Sequence, residues 1–368
     1  MKLLLCFGTR PEAIKMAPLY HALQASAHHV KVVVTAQHRS MLDQVLDFFG
    51  ICPDFDLNSM QPNQTLNGLS AKILTGMETV FSDFTPDLVL VHGDTTTSSM
   101  VALAAFHKQI SVAHVEAGLR THNLQSPFPE EMNRQLTAKL ANYHFAPTPQ
   151  AEQNLRNEGI APQNILITGN TVVDALLWAN QKVQNNYQSP FTTTVLEWLN
   201  TAKQMVLITG HRRENFGEGM LQLAQAIKQL ALQFPEVVFV YPVHLNPKVQ
   251  EPMQQHLQDI ANVHLIAPLS YPDFVFAMTK ASCIISDSGG IQEEAPSLGK
   301  PVVVLRTTTE RPEAVACGAA FLTGTNPKAI VDKVTELLKT QTTFTFENPY
   351  GDGKASEKIV AFLNQLPA

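Results

Sequence analysis

Ile285–Glu294 reads ISDSGGIQEE. An apolar run, TKASCII (Thr279–Ile285), leads into Ser286-Asp287-Ser288; two glycines follow, then a polar turn with adjacent glutamates. A buried strand that ends in Gly289-Gly290 and opens a helix is one step of a strand–helix alternation. The glycines permit close backbone approach, and the helix start aims N–H groups and the positive end of its dipole at a ligand. That suits a phosphate or diphosphate. Glu293 and Glu294 lie too far along to coordinate the same anion, but a carboxylate there can accept hydrogen bonds from ribose hydroxyls. The stretch also suits a plain strand–helix turn, with acids in the first turn where the dipole favours them.

Outward from this stretch the same alternation covers the chain. Strand-like runs are Leu3–Phe7, Val30–Thr35, Leu88–His92, Ser111–Val115 and Asn164–Thr168, with helices over Pro11–Ala25 and SSMVALAAFHK (Ser98–Lys108) between them. After the polar stretch Gln181–Pro190 a second series follows: Gln204–Thr209, a helix over Met220–Gln233, then Val237–Val243, Val263–Ile266, Cys283–Ser286 and Pro301–Leu305. Continuous Val/Ile/Leu runs indicate strands covered on both faces. Strand–helix alternation throughout implies parallel sheets. The expectation is an α/β protein of two doubly wound, Rossmann-like domains facing a cleft: residues 1–170 carrying the acids, residues 171–352, and a last helix within 353–368 able to pack on the first domain.

The 368 residues are 45% hydrophobic and 16% charged, with a formal net charge of −6. That suits a chain with real cores and argues against nucleic acid as the main partner, since phosphate backbones need a basic face. The four cysteines, Cys6, Cys52, Cys283 and Cys317, are too dispersed for a metal knuckle and read as buried reduced thiols. MKLLLCFGTR is too short in apolar residues for a signal peptide, and no apolar run has membrane-spanning length. The reading is cytoplasmic, with no membrane partner.

In doubly wound sheets ligands bind outside the carboxyl ends of strands. The residues there are Gly8-Thr9-Arg10, Gln37-His38, Gly93-Asp94, Glu116-Ala117-Gly118, Gly169-Asn170, Gly210-His211-Arg212, His244, Ser288-Gly289-Gly290 and Arg306. Gly, His, Arg and carboxylates dominate. Arg10 and Lys15 can reach a diphosphate, although a helix start with exposed cations reads the same way. His211, beside Arg212-Arg213, can bind phosphate or give a proton to a leaving group. Asp94 and Glu116 close their strands, and Glu130 opens a helix beyond GLRTHNLQSPF, a loop long enough for a lid. Three acids suit proton transfer or stabilisation of a cationic sugar. Metal ligation is the weaker reading, because no histidine stands at ligand spacing with them. Glu130 also suits the helix dipole, and Asp94 a helix cap. These residues describe an enzyme handling a nucleoside-diphosphate sugar.

The motifs resemble a known family. FGTRPEAIKMAPL, TAQHRSMLDQVL, VHGDTTTSSMVALAAF, HVEAGLRT, PFPEEMNRQLT, TGNTVVDAL, TGHRRENFGEG, YPVHLNP, SDSGGIQEEAPSLGKPVVVLR and TTERPEAV run in order from Phe7 to Val315. They are similar to those of the bacterial non-hydrolysing UDP-N-acetylglucosamine 2-epimerases. The resemblance implies a glycosyltransferase-B-like fold, usually a homodimer, and interconversion of UDP-N-acetylglucosamine and UDP-N-acetylmannosamine through 2-acetamidoglucal, with no cofactor. It implies Asp94, Glu116 and Glu130 as acid–base carboxylates and His211 and Arg10 on the diphosphate, with Lys15 nearby. Ser288, Gly289 and Gly290 would cradle phosphate, Glu294 hold the ribose, Arg311 contact ligand, and Phe274 fall in the uracil loop. Many members bind a second UDP-N-acetylglucosamine as activator, expected here at Gln37, Arg212 and His244. Ser40 and Asn63 stand where such members carry Gln and Arg, and Leu269 replaces a uracil-loop amide. The competing readings are a glycosyltransferase of the same fold, a non-catalytic UDP-sugar sensor and a hydrolysing epimerase.

Overall fold

The computed structural model describes residues 1–368 apart from 36–38, 62–63, 186, 341–343 and 367–368, and apart from the side chains of residues 39–41. Gln37 and Asn63 therefore lie outside the described residues, as does the side chain of Ser40. The chain divides into two units, Met1–Ala175 with Tyr350–Ala368, and Leu176–Pro349.

The first unit holds strands β1 (Lys2–Phe7), β2 (His29–Val34), β3 (Phe55–Asp56), β4 (Leu88–His92), β5 (Ser111–Val115), β6 (Tyr143–Ala146) and β7 (Ile165–Ile167). They form a seven-stranded sheet in the order β3-β2-β1-β4-β5-β6-β7, and every pairing is parallel. The second unit holds β8 (Gln204–Thr209), β9 (Val237–Pro242), β10 (Val263–Ile266), β11 (Cys283–Ser286), β12 (Val302–Val304) and β13 (Ala320–Leu322). Its sheet runs β10-β9-β8-β11-β12-β13, again all parallel. Both orders follow the 3-2-1-4-5-6 winding of a dinucleotide-binding domain. The expected α/β class with two Rossmann-like sheets is borne out.

The burial explains the sequence pattern. Leu3 to Phe7 are all fully buried, so β1 packs through both faces at once. Each such side chain contributes about 1.5–3 kcal/mol by leaving water. In the second unit Val206, Ile208, Phe239, Cys283 and Val303 meet the helices Glu218–Gln233 and Pro327–Lys339 in one core. The closing helix Ala355–Leu363 belongs to the first unit. Asp174 caps it by accepting from Ala355 N (3.2 Å) and Ser356 N (2.7 Å), and Phe362 packs edge-on against Tyr143 and Phe145.

Three strands, β3, β6 and β13, were not legible as runs. Three others are shorter than their runs: β7 covers Ile165–Ile167 rather than 164–168, β9 covers Val237–Pro242 rather than 237–243, and β12 covers Val302–Val304 rather than 301–305. Cys6 and Cys283 are buried as expected, whereas Cys52 is exposed and Cys317 half-buried. Among the described residues no helix is long and apolar enough to cross a membrane.

Candidate active site

In each unit the winding reverses between its first and fourth strands, β1 and β4 or β8 and β11. Loops leave these neighbouring strands in opposite senses, and this is where a crevice forms. In the first unit Gly8-Thr9-Arg10 therefore adjoins Gly93-Asp94, with Glu116 after the next strand, β5. Close approach is enforced at Gly8, where a Cβ would lie 2.0 Å from Thr35 Oγ1 and 2.5 Å from Thr97 Oγ1. Glu12 staples the two loops. It accepts from Gly8 N and Thr9 N through Oε2 (3.1 and 2.8 Å) and from Thr95 Oγ1 through Oε1 (2.7 Å). Burial raises its pKa, and these hydrogen bonds and His92 oppose the rise.

Glu116 is nearly buried and holds a left-handed backbone at φ +61. Such a conformation costs about 1–3 kcal/mol and persists where surroundings over-determine it. Its Oε2 takes the Lys15 ammonium and Asn170 Nδ2 at 2.9 Å. Burial would raise its pKa; Lys15 and His92 hold it well below the usual carboxylate range. Asp94 is tied differently. Its Oδ2 accepts from Arg134 Nη2 at 2.5 Å, and its carbonyl accepts from Asn133 Nδ2 at 2.9 Å. Glu130 opens the helix Glu130–Leu140, and its Oε2 is buried without a hydrogen-bond partner among the described residues. Glu131 is fully buried and pins the preceding loop, accepting from Thr121 N (3.0 Å) and His122 N (3.2 Å). It is a loop anchor rather than a solvated acid.

The second unit gathers histidines and arginines around the ends of its strands. Asp287 follows β11 and is fully buried; its Oδ2 accepts from His211 N and Arg212 N at 2.9 Å each, and from Asn215 Nδ2 at 3.2 Å. It thus shapes the loop after β8. The His211 ring stacks on His244, with centroids 5.0 Å apart and planes 9° from parallel. Ser288 stands at the N-cap position of the helix Gly289–Glu294 without a side-chain capping hydrogen bond, and Arg311 lies against the first glycine: a Cβ on Gly289 would sit 3.1 Å from its Cζ. Arg311 Nε pairs with Glu293 at 2.8 Å. Arg311, Arg306 and Arg212 converge on Glu310 at 2.9, 2.5 and 3.3 Å. Burial alone would raise the Glu310 pKa; these guanidiniums bring it to about 2. Glu214 also engages Arg306, at 2.9 Å, so the three guanidiniums beside the glycine-rich turn are each held by carboxylates. Glu294 is buried one turn inside this helix, and Phe274 stands half-buried in the first turn of the helix Tyr271–Lys280, capped by Ser270.

Of the residues singled out in the sequence, Arg10, Lys15, Asp94, Glu116 and Glu130 stand on the first unit, and His211, Arg212, His244, Phe274, Ser288, Gly289, Gly290, Glu294 and Arg311 on the second. Lys15 engages Glu116, a partner that its place near a helix start did not announce. Arg134, Asn170, His92 and Glu310 were missed as partners. Arg134 had a signal, since it lies four residues after Glu130 and so shares its helix face.

Comparison with known proteins agrees with this arrangement. The family model for UDP-N-acetylglucosamine 2-epimerase matches residues 21–364. A UDP-N-acetylglucosamine 2-epimerase from Campylobacter jejuni is 52% identical over 373 residues, covering 98% of this chain and 97% of the relative. The crystal structure of the Neisseria meningitidis UDP-GlcNAc 2-epimerase bound to UDP-GlcNAc covers 100% of both chains at 48% identity and a TM-score of 0.89. That of the Methanocaldococcus jannaschii enzyme in complex with UDP-GlcNAc and UDP covers 99% of each chain at 33% identity and a TM-score of 0.83. Likeness over nearly every residue, in a chain with carboxylates on one Rossmann-like unit and arginines on the other, makes this protein a member of the UDP-N-acetylglucosamine 2-epimerase family.

Proposed function

We propose that the protein interconverts UDP-N-acetylglucosamine and UDP-N-acetylmannosamine by elimination and re-addition of UDP. Family membership gives the reaction, and the observation that carries the chemistry is the carboxylate centre of the first unit, where Glu116 is held by Lys15. The C2 hydrogen is not beside a carbonyl and is a poor acid. It becomes removable only as the C1–O bond breaks and positive charge builds on the ring. That electron pair leaves on the β-phosphate of UDP; the C2–H pair becomes the C1=C2 bond of 2-acetamidoglucal, and the proton passes to a carboxylate. In the return step a proton is delivered to the opposite face of C2, and the UDP oxygen attacks C1.

The residues suit separate parts of this sequence. Arg311, His211 and the Ser288-Gly289-Gly290 turn stabilise charge on the departing diphosphate, with Arg10 as a further cation. Glu294 takes the ribose and Phe274 flanks the uracil. Glu116, kept ionised by Lys15, faces the developing ring cation. Glu130, with its unengaged Oε2, and Asp94, on its arginine, handle protons. The loop ahead of Glu130, anchored by Glu131, excludes water that would trap the glucal. A homodimer, a cytoplasmic location and a second UDP-N-acetylglucosamine as activator at Arg212 and His244 belong to the same reading. The four free cysteines suit a reducing compartment.

The test is incubation with UDP-N-acetylglucosamine alone in deuterated water. The expected outcome is deuterium at C2 of both epimers without an acceptor and without free N-acetylmannosamine. Replacing Asp94, Glu116 or Glu130 by the matching amide should lower turnover by at least about 10²-fold, with UDP binding retained. Absence of exchange, with or without added activator, would refute the reading. Transfer only with an acceptor would mark a glycosyltransferase; binding without turnover would mark a sensor.

A further inference from the structure

His92 ends β4 and is almost wholly buried, yet neither ring nitrogen has a hydrogen-bond partner among the described residues. A buried polar group left unsatisfied costs about 1–3 kcal/mol, and an orphan of this kind calls for a physical reason. Register supplies the setting. His92 pairs with Val115, the last residue of β5, so the residue that follows β5 beside it is Glu116. Nε2 of His92 lies 3.5 Å from Glu116 Oε2, the oxygen that also takes Lys15 and Asn170. A separation of this size can close to a hydrogen bond when a reacting complex tightens around its catalytic groups.

We propose that His92 is a positioning residue for the epimerisation: its Nε2–H takes hold of Glu116 Oε2 in the reacting complex, leaving Oε1 for the pyranose while Lys15 turns toward the departing diphosphate. This rests on the function proposed above. Lys15 cannot serve both anions at full strength, and Glu116 would lose its strongest donor at the moment when its position matters most. His92 is the donor in reserve: its Nε2 lies 3.5 Å from Glu116 Oε2 and has no hydrogen-bond partner among the described residues. The titratable groups facing Glu116 are Lys15, from the helix Arg10–Gln24, and His92, from β4; Glu12 is close enough to His92 to interact with it electrostatically. His92 touches no reacting atom in this account. It acts through Glu116.

The experiment compares the wild type with His92→Leu, which removes the donor, and His92→Gln, whose amide reaches the same place. In deuterated water His92→Leu should exchange and epimerise at least about 30-fold more slowly in kcat, with KM and calorimetric UDP affinity within about twofold. The acidic limb of its kcat–pH profile should move to higher pH, because a lost donor disfavours the ionised carboxylate. His92→Gln should recover most of the rate and the original limb. Wild-type kcat and limb in His92→Leu would overturn the proposal, as would a His92→Gln no faster than His92→Leu with both melting points lowered alike, the mark of a packing role. If His92→Leu does not fold, His92→Asn, polar but too short to reach Glu116, must show the same loss and shift. If the wild type itself neither exchanges nor epimerises, the proposed function falls, and this role with it.

Discussion

Acid should loosen the first unit through two histidines that take no part in catalysis. His114 on β5 and His144 on β6 are buried side by side, paired in register across the two strands. Burial, with the charge of His144, pushes His114 down to about 3, and burial, with the charge of Arg120, pushes His144 down to about 4. His114 still donates to Gly93 O at 2.7 Å, so the neutral ring helps fix the loop that carries Asp94. In the unfolded chain both protonate near pH 6.5. Below that pH the unfolded state binds more protons than the native state, so stability falls as pH falls. At about 1.4 kcal/mol per pH unit, each histidine removes about 2 kcal/mol between pH 7 and pH 5, and the pair about 4 kcal/mol. A domain stable by 5–15 kcal/mol would lose a large share of its margin. His144→Gln should reduce the loss to about 2 kcal/mol. Both tryptophans, Trp178 and Trp198, lie in the second unit, so fluorescence does not report on the first. Peptide-resolved hydrogen exchange over β4 to β6, corrected for intrinsic rates, does. Glu12 is raised and acts with the opposite sign, but it cancels in the comparison of variant with wild type. A His144→Gln chain that loses as much protection between pH 7 and pH 5 as the wild type would refute the reasoning.

Three other perturbations test particular contacts. Lys15→Met leaves Glu116 buried without its cation, at a cost of about 3–5 kcal/mol; kcat should fall at least about 10²-fold and the acidic limb of the pH–rate profile rise, and an unmoved limb would contradict the pairing. Since the native pKa of Glu116 is depressed, its stabilising contribution is present above about pH 4.3 and lost as pH falls through the native value, which acid titration of the variant against wild type measures. Asp287→Asn weakens three hydrogen bonds that shape the His211–Asn215 loop and should weaken UDP binding about tenfold, roughly 1.4 kcal/mol by calorimetry; unchanged affinity would show that the loop holds its shape without the carboxylate. Gly8→Ala drives a methyl into Thr35 and Thr97, whose hydroxyls share a 2.8 Å hydrogen bond, and should cost about 1–3 kcal/mol, seen as a lowered melting point; a melting point equal to wild type would mean that this approach is looser than it looks.

The alternation of strands and helices was legible because a strand buried on both faces must be apolar at every position, and Leu3–Phe7 and Val237–Tyr241 are. Where that condition lapses, so does the reading. β3 has two residues, β13 has three, and β6 is YHFA, with a histidine where an aliphatic run would have one more branched residue. The glycine turns were legible too, since the residues that let a backbone approach an anion are few.

What the sequence determined by itself was therefore the fold class, the family and the side chains set at strand ends. Those depend on local composition and order along the chain. The tertiary structure alone decided who meets whom. Lys15 reaches Glu116 across 101 residues, Asn170 reaches it across 54, and Arg134 reaches Asp94 across 40. Such meetings follow from which strands lie side by side and in what register, and no local pattern encodes either. The same holds for charge: whether a carboxylate is a cap, an anchor or a fixed anion depends on burial and on partners brought from distant parts of the chain, and only folding brings them.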